Sequence, residues 1–291
     1  MTLTPLPSPE AHVQAVLGRA ERVALPMAGG GQIVWHVWGQ GTPLVLLHGG
    51  HGSWAHWIRN VLPLSEHFQV WAADLPGFGE SDRYGEAGDA DGIWPAVADS
   101  IRQRIATDGG GVHIAAFSFG SLVASFLAIN HPELVRSFTL VGAAALFPSD
   151  QPLQGMASLR NLTEPAQIHA ALRQNLGVLM LHNDSAIDDL AVYLQGWNVP
   201  RDRMPGRRLA FSQIQRTLQA RWRCPVQGIW GRHDVLYNDA RFAQLPEVLA
   251  DCDLRGVHVI DHAGHWVQYE APDAVNQHIR DFVHTLERET A

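Results

Sequence analysis

HIAAFSFGSLVA, residues 113–124, is the stretch on which the reading of this chain turns. VHIAA at 112–116 is apolar enough for a central strand, and SLVASFLAI at 121–129 is a helix candidate close behind it. Ser118 falls between them. A strand that passes abruptly into a helix presents an oxygen nucleophile on a tight turn, with the positive end of the helix behind it. Ala116 and Gly120 are the small neighbours that let such an elbow form, so AFSFG is a variant of G-x-S-x-G with its first glycine replaced. The same hydroxyl would equally suit a helix cap.

Working outward, strand-like runs recur at intervals filled by helical patterns. Before the elbow come GQIVWHVW at 31–38, PLVLL at 43–47 and FQVWAAD at 68–74; after it come SFTLVGAAA at 137–145, VQGIW at 226–230 and GVHVI at 256–260. Trp57, Ile58, Val61 and Leu62 form a short helical stripe. Ile93, Val97, Ile101 and Ile105 are spaced by four and share one helical face, and a final helix runs from Pro272, which suits a first turn, to about Leu286. Strand then helix, repeated, indicates parallel βαβ units with helices on both sheet faces. Between about 147 and 223 the strand signal disappears. LTEPAQIHAALRQNLGVLML, SAIDDLAVYLQGW and RRLAFSQIQRTLQARW look helical there, divided by Pro148, Pro152, Pro165, Pro200 and Pro205. The expected organisation is a core made of 1–146 and 224–291, with a helical insertion at 147–223 placed to cap a ligand crevice.

A serine nucleophile needs a base. His265, in DHAGHWVQY after the strand GVHVI, is the candidate, with His262 a nearby rival less compatible with the strand-loop-helix pattern. Asp234, in IWGRHDVL directly after VQGIW, would hold the histidine tautomer and stabilise the imidazolium. Asp74 in ADLPGFGESD also follows a strand, but it precedes the serine in sequence and is read as a turn stabiliser. A developing oxyanion needs donors. The Phe119 amide follows the nucleophile directly, and the HGGHG loop at 48–52 offers Gly50, with His51 as the neighbouring alternative.

The chain has 291 residues, 46% of them hydrophobic, enough for one sizeable core, and a formal net charge of -8 that gives no global attraction for nucleic acid or anionic lipid. Two cysteines, Cys224 and Cys252, rule out a disulfide framework and a cysteine-rich zinc site. GRAERVALPMAGGG is neither a dinucleotide fingerprint nor a phosphate loop, and His48, His51 and His56 lack the carboxylates of a zinc signature, so neither a metal nor an organic cofactor is expected. The first twenty residues do not read as a secretory signal and no apolar run approaches twenty residues, so the expectation is a cytoplasmic protein with no membrane span; a homo-oligomer is left open.

Ser118, Asp234 and His265, each just beyond a predicted strand and in that chain order, resemble the α/β-hydrolase superfamily over nearly the whole length after the N-terminal arm. HGGHGSW and DLPGFGESD strengthen the match, and GHWVQYEAP is similar to the C-terminal motif of the meta-cleavage-product hydrolases, which cleave carbon-carbon bonds in vinylogous diketones. The resemblance implies an α/β fold with a mostly parallel eight-stranded sheet and a helical cap. It also implies a cap arginine for an acidic substrate, for which Arg201, Arg203, Arg207 and Arg208 are the candidates. Two positions depart from the family pattern: Phe117 stands where asparagine is common before the nucleophile, and Ser121 follows Gly120. Phe117, Phe119 and Trp266 would suit an apolar acyl or aromatic group, or would pack the core or cap. The expected activity is serine-dependent hydrolysis of a small or medium ester, thioester or lactone, the partner being a small molecule. Carbon-carbon hydrolysis and a ligand receptor on the same fold are the alternatives.

Overall fold

The computed structural model describes residues 8–106, 109–148 and 153–290; Pro152 and the first seven residues of the N-terminal stretch lie outside them. Helix α1 (Pro9–Leu17) leads into β1 (Glu21–Pro26), β2 (Gln32–Trp38) and β3 (Pro43–Leu47). A short 3-10 turn over Trp54–Trp57 and α2 (Val61–Ser65) connect to β4 (Gln69–Asp74). Then follow α3 (Ala90–Ser100), β5 (Val112–Phe117), α4 (Phe119–Asn130) and β6 (Val135–Val141). The segment before the next strand holds α5 (Pro165–Asn175), α6 (Asp189–Asn198), α7 (Ile214–Leu218) and several single turns, with no strand among its described residues. The chain closes with β7 (Pro225–Gly231), α8 (Asp239–Val248), β8 (Asp253–Ile260), α9 (Val267–Glu270) and α10 (Pro272–Thr290).

The eight strands form one sheet in the order β1-β2-β4-β3-β5-β6-β7-β8, antiparallel only where β2 meets β1 and β4. Its central strands are buried along almost their whole length because both faces are covered. Alternation assigns each residue to a face: Val45, Leu47, Ile114 and Ala116 enter one core, while Leu44, Leu46, Ala115 and Phe117 enter the other. Among the described residues no helix is long and apolar enough to cross a membrane.

Three features differ from the sequence reading. β1 has a largely exposed pattern at the sheet edge, so the stretch ERVALP lacks the apolar run that marks the inner strands. β6 stops at Val141, because Gly142 turns the chain with a φ of 49°. The stripe from Ile93 to Ile105 is a helix carrying Pro95, which relaxes into one wider turn over Ile101–Ile105.

Candidate active site

The bend between β5 and α4 is tight enough to force Ser118 to φ 48° and ψ -114°, a backbone state a non-glycine residue holds only when its surroundings impose it. The Ser118 amide donates to Val141 O of β6 at 2.9 Å, and its carbonyl accepts from the Ser121 hydroxyl at 2.6 Å. Gly120 lets α4 approach β3: a Cβ there would lie 2.6 Å from His48 O. The hydroxyl is thus presented at the carboxyl edge of the sheet, where ligands of open parallel sheets collect.

His265 and Asp234 arrive at the same edge from the ends of β8 and β7. His265 Nε2 stands 3.0 Å from Ser118 Oγ, and Nδ1 stands 2.8 Å from Asp234 Oδ2. His265 and Asp234 are buried, 3% and 1% exposed, which excludes competing water from the pair. The other Asp234 oxygen accepts the Leu236 amide at 2.9 Å. The loop carrying His265 is fixed on both sides. The Gly264 amide donates to Glu270 Oε2 at 2.6 Å, and the Trp266 amide donates to Met180 O at 2.7 Å. His262 is exposed and does not approach the serine; its carbonyl accepts from Asn183 Nδ2.

The HGGHG loop lies against this bend. A Cβ at Gly49 would stand 2.9 Å from the Phe117 ring and 3.2 Å from Ser118 Cβ, so the backbone meets the elbow at a distance only glycine permits. Gly50 and Phe119 line the same cavity as Ser118, and among the described residues neither amide donates to a backbone carbonyl. His48 acts as a strut, donating from Nδ1 to Gly49 O and accepting the Leu75 amide at Nε2. Burial pushes its pKa down to about 4, so it stays neutral in that role. Asp74 is likewise structural, accepting the Trp54 and Glu80 amides at 2.8 and 2.7 Å.

Of the other residues singled out in the sequence, His51 and Phe117 line the cavity; Arg201, Arg203 and Trp266 do not. Trp266 follows His265, yet the loop turns its ring into the core, where it is 0% exposed and donates to His56 O at 2.8 Å. Arg201 stacks over Trp197 and donates to its carbonyl, while Arg203 donates to Gly79 O and Ser81 O. Arg207 is the member of the arginine cluster that reaches the cavity: its Nε lies 3.0 Å from where a Gly50 Cβ would be. Its charge is already met. Arg207 Nη2 donates to Asp202 Oδ2, and the same oxygen is 2.6 Å from His51 Nδ1. Burial raises the Asp202 pKa, but the hydrogen bond from His51 and the Arg207 charge outweigh it and hold the group below the usual carboxylate range. His51 itself has φ 50°, so this cluster pins a strained residue next to Gly50.

Several supports had no sequence signal. Gln215, on α7, donates to Ser121 Oγ and Ala144 O and accepts from Ser125, bracing the start of α4 against the cavity wall. Asp202, Gln215 and Glu270 each act across more than fifty residues of chain or through backbone amides, and no local spacing marks such a residue. The cavity holds about 700 Å³, within the range of small-molecule sites. Beyond Ser118 and His265 its walls are chiefly apolar, including Ala143, Leu179, Met180, Phe147 and Leu236.

The family model described as "Alpha/beta hydrolase family" matches residues 44–278. A 2-hydroxy-6-oxononadienedioate/2-hydroxy-6-oxononatrienedioate hydrolase from Cupriavidus pinatubonensis is 27% identical over 263 residues, covering 82% of this chain and 86% of that protein. A 2-hydroxy-6-oxo-6-phenylhexa-2,4-dienoate hydrolase from Burkholderia cepacia is 28% identical over 265 residues, covering 84% and 88%. Among solved structures, a bacterial membrane phospholipase A superposes with a TM-score of 0.74 at 21% identity, covering 96% of this chain and 91% of that one, a likeness of fold.

Proposed function

Because the chain belongs to the alpha/beta hydrolase family, we propose that it is a serine hydrolase cleaving a small or medium carboxylic ester, with thioesters and lactones open to the same chemistry. The observation that carries this reading is the continuous hydrogen-bonded line from Ser118 through His265 to Asp234 at the floor of an apolar cavity. In the reaction His265 takes the Ser118 proton as Oγ attacks the carbonyl carbon, and Asp234 holds the imidazolium that results. The Gly50 and Phe119 amides receive the negative oxygen of the tetrahedral intermediate. His265 then returns its proton to the departing alcohol, leaving an acyl-enzyme that water hydrolyses by the same steps.

The relatives named as hydrolases of 2-hydroxy-6-oxo dienoates and dienedioates favour a second reading, cleavage of a carbon-carbon bond. That reaction needs an anchor for an acidic end, and Arg207 stands at the right wall, but Asp202 already engages it. Phe117 also offers no side-chain donor there. These two residues favour the ester. The experiment is a comparison of multiple-turnover rates on p-nitrophenyl esters, a thioester, a lactone and a vinylogous diketone. Turnover on the esters with burst release of p-nitrophenol supports the ester reading; turnover on the diketone alone moves the assignment to carbon-carbon hydrolysis. Absence of turnover on every substrate, with ligand still bound, moves it to a receptor.

A further inference from the structure

The large hydrophobic side chains left exposed among the described residues are Leu153, Met156, Phe211 and Val235, between 36% and 65% exposed. All four line the cavity that holds Ser118. Scattered exposed hydrophobes are ordinary, but a set of them collected around one opening marks a place where apolar matter is bound. The set is built from both sides of the mouth. Phe211 ends a 3-10 turn, Arg208–Phe211, in the segment between β6 and β7, and Val235 directly follows Asp234. Behind the rim the apolar surface continues inward along Phe147, Leu179 and Met180 to Phe117 beside the nucleophile. The cavity from Ser118 to its mouth is therefore lined chiefly by apolar side chains, with Arg207 and Arg241 among its walls.

We infer that the acyl side of the substrate is an aliphatic chain long enough to run from Ser118 across this rim, so that Phe211, Met156, Leu153 and Val235 set a preference for medium chains over short ones. The inference rests on the ester reading above and names its substrate class. Charge favours a neutral chain beside the nucleophile loop: Arg207, which stands against Gly50, is already paired with Asp202, and the Arg241 guanidinium is oriented by the Leu236 and Pro148 carbonyls. The molecule's net charge of -8 also opposes docking on an anionic lipid surface. Each methylene moved fully from water to an apolar wall is worth roughly fourfold, and less on an open rim, so a few contacts at the rim suffice.

The test measures kcat/KM for p-nitrophenyl acetate, butyrate, octanoate and dodecanoate below their micellar concentrations, in the wild type and in F211S and M156S. Both positions are exposed, so the polar replacements leave the core packing alone. The wild type is expected to favour octanoate over acetate by at least about tenfold, and each variant to lower that ratio by about threefold to tenfold. A flat profile in the wild type, or an unchanged ratio in both variants, overturns the inference while leaving ester hydrolysis standing. No hydrolysis of any ester, acetate included, defeats the ester reading itself. Adsorption to phosphatidylcholine vesicles that F211S abolishes, with the chain-length ratio unmoved, would make the rim a lipid-docking surface and overturn the inference as well.

Discussion

Ser118 is held at φ 48° by the bend that places it, and its Oγ has His265 Nε2 as a partner at 3.0 Å. Replacing it by alanine removes the attacking oxygen and one hydrogen bond while leaving the Val141 and Ser121 contacts of its backbone in place. S118A is therefore expected to lower kcat by several orders of magnitude with an unchanged circular-dichroism spectrum, and H265A to do the same. Asp234 allows a finer test. In D234N the amide can donate to His265 Nδ1, which favours the tautomer carrying its proton on Nε2, the atom that should accept from serine. A loss of about 10⁴-fold in kcat is expected, with thermal stability close to wild type. Wild-type kinetics in D234N would show that another acid orients the base; Asp74, although buried at the end of β4, is already committed to the Trp54 and Glu80 amides.

At the scale of elements, the loop between β8 and α9 carries His265, and a single carboxylate fastens it to the helical segment. Glu270 accepts the Gly264 amide at 2.6 Å, the His182 and Asn183 amides, and Asn183 Nδ2. Glu270→Gln keeps one acceptor and turns the other atom into a donor facing N–H groups, so E270Q is expected to lose about 1–3 kcal/mol of stability. Because the loop sets the reach of His265, kcat should fall about tenfold while KM changes little. Urea denaturation and steady-state kinetics on one ester check both; full stability with full kcat would show the clip to be dispensable. The same elements show what sequence can carry. PLVLL at 43–47 is β3 to the residue, because a strand buried on both faces is marked by its own apolar run. That Ser118, Asp234 and His265 meet at one sheet edge was legible, because each lies just beyond a strand marked by its own sequence. β1 was not, since an edge strand is half solvated and reads like a loop. Nor were Arg201, Arg203 and Trp266 distinguishable from residues that line the cavity: which way a side chain turns after a loop depends on Trp197, Ser81 and His56, contacts set by tertiary packing.

For the whole molecule, the buried histidines set how stability answers to pH. Burial lowers His36 and His48 to about 4 and His113 to about 3, and it takes His56 well below its ordinary value. In the unfolded chain each titrates near 6.5. Above that pH both states are neutral at these sites, and the contribution to stability is complete. Below it the unfolded chain binds protons that the folded chain refuses until its own lower pKa is reached, so each group removes about 1.4 kcal/mol per pH unit across the window. Asp74 acts in the opposite sense. Burial raises it to about 7, so in the range between about 4 and 7 the folded state holds a proton that the unfolded state lacks, and stability declines there as pH rises. One carboxyl set against four histidines leaves acid as the destabilising direction, and denaturant midpoints are expected to fall steeply from pH 7 to pH 5. His36 isolates one contribution. Neither ring nitrogen has a hydrogen-bond partner among the described residues, and the ring packs 5.4 Å from Trp54 and 6.2 Å from Trp38. A phenyl ring there forfeits no bond, so His36→Phe should match the wild type at pH 7 and lose less on acidification, its unfolding free energy falling by about 1.4 kcal/mol less per pH unit below 6.5. Parallel wild-type and H36F curves would mean that the folded chain protonates His36 as readily as the unfolded chain does, and would overturn the assignment of this contribution to its burial.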